Sequence, residues 1–169
     1  IYMRKVSPQT VAKKINALKE ELKDLERSEK QSCTFTFTVG EDFEAIRPSY
    51  DYKETQKRYM ELTEEIRKLR HTMNVFNTST IVPGFNMTVD QMLCYLPQLR
   101  ERKQTLKKLK DQPISGRSSG IFEGIVRYEY CNYSVQKATE DYKKIADDYA
   151  KAHTALDIIN VTGEIEVDW

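Results

Sequence analysis

The sequence has three cysteines, two histidines, one tryptophan, six glycines and five prolines in 169 residues. Cys33, Cys94 and Cys131 are odd in number and no two stand at zinc-ligand spacing. They read as reduced, half-buried thiols, and no metal is expected. His71 and His153 are the only imidazoles. They fall at exposed-looking helix positions, so no Ser/His/Asp or Cys/His nucleophile can be assembled around them. No catalytic residue is assigned. No run approaches the ~18 consecutive apolar residues of a membrane span. No signal-peptide pattern opens the chain, which is read as cytoplasmic, with no membrane partner expected. A dominant charge is missing too: 27 Lys+Arg against 26 Asp+Glu leave a net +1. A nucleic-acid partner is therefore not expected from the global balance, and any such claim has to rest on a local patch.

What is present is helical periodicity. Ser7-Pro8 is an N-cap followed by proline at the first helical position. Val11, Ile15, Leu18, Leu22 and Leu25 follow at spacings of four and three, a near-heptad stripe ending near Lys30. Cys33 to Val39 alternates Thr with Phe or Val and predicts a half-buried strand, followed by a loop through Pro48. Asp51 with Glu54 opens a second helix, with the stripe Tyr52, Thr55, Tyr59, Leu62, Ile66, Leu69, Met73 and Phe76. Asn77-Thr78-Ser79-Thr80 stops it, and Pro83-Gly84 turns the chain.

Thr88 with Gln91 caps a third helix, whose stripe is Met92, Leu96, Leu99, Lys103, Leu106 and Lys110. Pro97 inside it predicts a kink or a later start. Asp111 to Gly124, with Pro113, Gly116, Gly120 and three serines, reads as a flexible loop, and Ile125 to Tyr133 as a strand. Ser134 caps a fourth helix along Val135, Ala138, Tyr142, Ile145, Tyr149, Ala152, Leu156 and Ile159. Glu164 to Trp169 alternates like a short strand.

A shift of 83 residues lays the second helix on the fourth: Asp51 on Ser134, the stripes on each other, Asn77 on Asn160. A shift of about 81 lays Ser7 on Thr88 and Leu18 on Leu99. The expected fold class is therefore mainly α. It is a duplicated helix–strand–helix unit (7–80 and 88–163) within a single domain, 1–169, forming a long-helix bundle or coiled coil with a small β element. The two inserted strands are expected to pair across the pseudo-twofold axis. Helices this long in a chain this short leave apolar stripe uncovered, so a homo-oligomer is expected.

The ends of the second and fourth helices place Asn74, Asn77, Asp157 and Asn160 beside the stripe. Such residues either hydrogen-bond a small polar ligand, or cap a helix and fix a coiled-coil register. Arg100, Arg102, Lys103, Lys107, Lys108 and Lys110 make a basic run. It is either a solvated face or a phosphate-binding surface. Ser115 to Gly120 resembles a phosphate-cradling loop, but a strand rather than a helix follows it. Arg117, beside the basic run, is the best place for an anion. Asn77, Asn86, Asn132 and Asn160 all stand in Asn-x-Ser/Thr and read as turn and cap chemistry. The many carboxylates interleave with lysines as solvated ion pairs, and no acid/base pair stands out.

The run Ile15-Asn16-Ala17-Leu18-Lys19-Glu20-Glu21, the helix ending Met73-Asn74-Val75-Phe76-Asn77-Thr78, and Arg127-Tyr128-Glu129-Tyr130-Cys131-Asn132-Tyr133-Ser134 resemble the septicolysin-like family of small bacterial helical proteins. The resemblance is one of pattern over nearly the whole chain. It implies an Ile-Asn-Arg-Thr-Asn-like run at Met73 to Asn77. Asn74 and Asn77 match, while Val75 and Phe76 replace the arginine and threonine, so that arginine's anion contact is not carried over. The family name implies a haemolysin. The alternating run here is shorter than the ~9–11 residues of a membrane-spanning strand.

The expected function is that of a non-enzymatic, homo-oligomeric helical binding protein. It would hold a small polar or anionic, nucleotide-like ligand at a subunit or repeat interface, through Asn74, Asn77, Asp157, Asn160, Arg117, Arg100 and Lys103, with no cofactor. The alternatives are a membrane-active haemolysin-like protein and a purely structural assembly protein.

Overall fold

The computed structural model describes residues 3–117 and 125–168. It is mainly helical, with small two-stranded sheets. The elements run β1 (Arg4–Val6), α1 (Pro8–Ser32), α2 (Phe43–Ile46), α3 (Tyr52–Ser79), β2 (Ile81–Val82), β3 (Met87–Thr88), α4 (Val89–Lys110), β4 (Ser115–Arg117), β5 (Tyr128–Tyr130), α5 (Val135–Thr162) and β6 (Ile165–Val167). The chain divides into two compact units, Ile1–Asn77 with Asn160–Trp169, and Thr78–Ile159.

The first unit is an α-helical hairpin. Ser7 accepts from the Thr10 N–H and so starts α1, with Pro8 placed where a missing N–H costs nothing. The α1 side chains Lys14, Glu21 and Glu29 meet Glu65, Arg58 and Gln56 of α3. Rising numbers on one helix against falling numbers on the other make the pair antiparallel. Its core is Val11, Ile15 and Leu18 with Leu62, Leu69 and Phe76. Further along α1, Leu22 and Leu25 are only half-buried, because two helices alone cannot enclose a stripe. At the base β1 pairs antiparallel with β6, Arg4 opposite Val167 and Val6 opposite Ile165. Val6, Ile165 and Val167 are buried there.

The tip of this hairpin departs from the predicted pattern. Cys33 to Val39 forms no strand. An alternating run becomes a strand only when a partner offers a ladder, and none is paired with it. Its rings instead gather on α2: Phe35 and Phe37 lie 5.1 and 5.5 Å from the Phe43 ring. The predicted loop contains α2, started by the Asp42 carboxylate, which accepts from the Glu44 and Ala45 N–H groups. Behind it, the Tyr50 hydroxyl donates to Glu29 at 2.9 Å, and the Gln56 amide to the same oxygen at 2.7 Å.

The second unit is also a helical hairpin. Its entry is the β2–β3 pair, turned through Gly84 and Asn86, both at positive φ (84° and 49°). The Thr88/Gln91 capping box forms in full, and α4 starts at Val89 and continues past Pro97 instead of starting later. Antiparallel α5 packs on it, as Lys103 lies over the Tyr149 ring and Lys110 over the Tyr142 ring. Met92, Leu96, Leu99 and Leu106 with Ala138, Ala152 and Leu156 form the core.

Here too the tip corrects the prediction. The expected loop contains β4, and the expected long strand shortens to β5. The two pair with each other, Ser115 opposite Tyr130 and Arg117 opposite Tyr128, not with a strand of the first tip. The remainder of the cradle-like loop, from Ser118 to Gly120, lies outside the described residues.

Candidate functional site

Arg100 and Lys103 come together with Asp157 through two residues that the sequence did not single out as ligands. The Arg100 guanidinium donates to the Tyr149 hydroxyl at 3.3 Å, and the Lys103 ammonium sits 5.0 Å from that ring's centroid. One turn further along α5, His153 lies 5.9 Å from Tyr149 and 2.9 Å from the Asp157 carboxylate. This strip has a packing role. Lys103 and Lys110 occupy stripe positions on α4, half-buried, with their stems on the seam and their charges over tyrosine rings. Two lysines in an apolar stripe, facing a helix with tyrosines at matching intervals, were the available signal.

Asn74 is exposed on α3 and lines an open groove of about 440 Å³ with Thr63, Ile66, Arg67, Arg70 and His71. Asn77 and Asn160 are both half-buried within the last turn of their helices, α3 and α5, which run two residues further.

Arg117 leads to a concavity of the second unit. It lines a cleft of about 450 Å³ at the second tip, with Leu109, Gln112, Tyr130, Cys131 and Tyr133 among the walls. Glu129 is the acidic group in that lining. A second cleft of about 510 Å³ is lined by Gln104, Lys107, Lys108, Asp111 and Gln112. Gln112 belongs to both, so the clefts adjoin.

Local hydrogen bonds hold this tip. The Cys131 N–H donates to the Ile114 carbonyl at 3.0 Å and the Cys131 thiol to the Pro113 carbonyl at 3.2 Å. The Tyr133 hydroxyl donates to the Leu109 carbonyl at 2.7 Å. Loss of hydration, followed by contact with Cys131, raises the Tyr133 pKa, so the phenol stays a donor. Lys110 is tied to Asp111 at 2.7 Å. Among the described residues, Lys107, Lys108 and Arg117 enter no ion pair, and all three are exposed. Lys107 and Lys108 were visible in the basic run. Gln112, Tyr130 and Tyr133 became site residues only when β4 folded back on β5.

The described residues contain no group of three or more His, Cys, Asp or Glu able to hold a metal ion. None of their helices is long and apolar enough to cross a membrane.

No family model matches the chain, and no curated protein matches it by sequence. A crystal structure of a functionally unknown conserved protein from Corynebacterium diphtheriae is similar, with a TM-score of 0.62 at 15% identity, over 96% of this chain and 99% of that one. At that identity the likeness is one of fold.

Proposed function

We propose that this chain is a non-enzymatic, homo-oligomeric binding protein that holds a small anionic, nucleotide-like ligand. The observation that carries the reading is the pair of clefts adjoining at Gln112. One presents two lysine ammonium groups free of ion pairs among the described residues. The other presents Arg117 beside the Tyr130 and Tyr133 rings. Lysine suits a phosphate as a point charge, and an aromatic wall suits a flat ring, so the two together fit a phosphate joined to a base. A duplicated chain is part of the same reading, supported by the equal 28-residue lengths of α3 and α5.

Native mass spectrometry of freshly purified protein, followed by calorimetric titration with adenosine triphosphate, tests this. The expected result is an oligomer carrying added mass, and saturable binding that weakens about tenfold (about 1.4 kcal/mol) in Lys107→Gln/Lys108→Gln. Protein with no added mass and no heat of binding sinks the reading.

A further inference from the structure

The β4–β5 pair has a built face. Residues directly opposite in an antiparallel ladder point to the same side, so Ser115, Arg117, Tyr128 and Tyr130 share one face, and Gly116 and Glu129 share the other. Tyr128 and Tyr130 are 62% and 73% exposed, although large aromatic side chains usually find cover. They stand two positions apart with Glu129 between them, about 6.6 Å along the strand. Arg117 stands directly across from Tyr128. The cleft bearing Lys107 and Lys108 adjoins this tip through Gln112.

Two exposed rings on one face, with an arginine across from one of them and lysines in the adjoining cleft, supply the two parts of a single-strand nucleic-acid surface. The rings stack bases whatever their identity, and the cations follow the phosphates. The near-neutral charge of the whole chain does not oppose this, because the last three turns of α4 concentrate Arg100, Arg102, Lys103, Lys107, Lys108 and Lys110 against Glu101. A single nucleotide, even a triphosphate, offers one base to stack, whereas this surface presents two exposed rings.

We infer that the second tip binds single-stranded nucleic acid, with Tyr128 and Tyr130 each stacking one base and Arg117, Lys107 and Lys108 contacting successive phosphates. The inference rests on the anion-binding reading and extends it from one nucleotide to a strand. Stacking and phosphate contacts do not depend on base identity, so binding is expected to be indifferent to sequence.

The test is fluorescence anisotropy of a labelled twelve-residue oligothymidylate on the full chain, with adenosine triphosphate and polyglutamate as competitors. Three phosphate contacts predict a log–log salt slope of about −2, at about −0.7 per contact. Tyr130→Ala is expected to weaken binding roughly 5- to 150-fold, while Tyr130→Phe keeps it, because the ring and not the hydroxyl does the stacking. Lys13→Gln, on the exposed side of α1, is the control and leaves binding unchanged. If adenosine triphosphate binds and the oligonucleotide does not, the inference is overturned and the small-ligand reading stands. If neither binds, both fall. Equal competition by polyglutamate, or binding indifferent to Tyr130→Ala, also overturns it, in favour of a plain polyanion surface.

Discussion

The Tyr133 hydroxyl reaches back over 24 residues to donate to the Leu109 carbonyl at 2.7 Å, in the last turn of α4. A helix ends with four carbonyls that have no partner inside it, and this phenol supplies one. The bond ties the tip to the end of α4, and so keeps Lys107 and Lys108 beside the β4–β5 pair. Tyr133→Phe is expected to cost about 1 kcal/mol in urea denaturation. It should also speed amide exchange at Cys131, whose N–H bonds Ile114. An unchanged exchange rate would show that the tip holds without this bond.

At the other tip, Tyr50 predicts a pH dependence. Desolvation first, then its hydrogen bond to Glu29 and that carboxylate's charge, push the phenol from 10.0 up to about 12. The folded state therefore holds this proton more tightly than the unfolded chain. Its contribution is fully present below about pH 10 and is lost as pH rises toward about 12. Tyr50, and with it Tyr133, should ionise later than the rest of the ten tyrosines in tyrosinate absorbance, and Tyr50→Phe should remove the step near pH 12. Uniform titration of all tyrosines would contradict the assignment.

Leu62 is fully buried between α1 and α3, whereas Met60, two residues earlier, faces solvent. Leu62→Ala is expected to destabilise by about 2–5 kcal/mol. Met60→Ala should stay within about 0.5 kcal/mol. Similar losses for both, measured by chemical denaturation, would mean that the uncovered face of α3 is buried in the protein in solution.

Lys103 and Tyr149 should be coupled. A double-mutant cycle with Lys103→Gln and Tyr149→Leu is expected to give about 0.5–1 kcal/mol of interaction, the usual range for an exposed cation–ring pair. A cycle that closes to zero would free Lys103 for another role.

The clefts show where sequence reasoning stopped. Arg117 and the basic run could be named, because charge is legible residue by residue. Their neighbours could not. Tyr130 reads equally well as a strand core residue, and only its place opposite Ser115 in a two-stranded pair leaves it exposed. The same limit applied to Lys103: chain order shows a lysine in a stripe, but not the Tyr149 ring that accommodates it.

The helices and their starts were written in the sequence. Ser7, Thr88 and Ser134 cap through N–H groups three residues away, and stripes of threes and fours settle which face packs. These interactions lie within one or two turns, so a linear pattern carries them. The strands were decided by tertiary structure. Arg4–Val6 has no pattern of its own and becomes β1 only because Ile165–Val167 arrives from the far end of the chain. Cys33–Val39 has the alternation but no partner, and is not a strand. A helix completes its hydrogen bonds within itself, whereas a strand borrows them from residues whose position the whole fold must first determine.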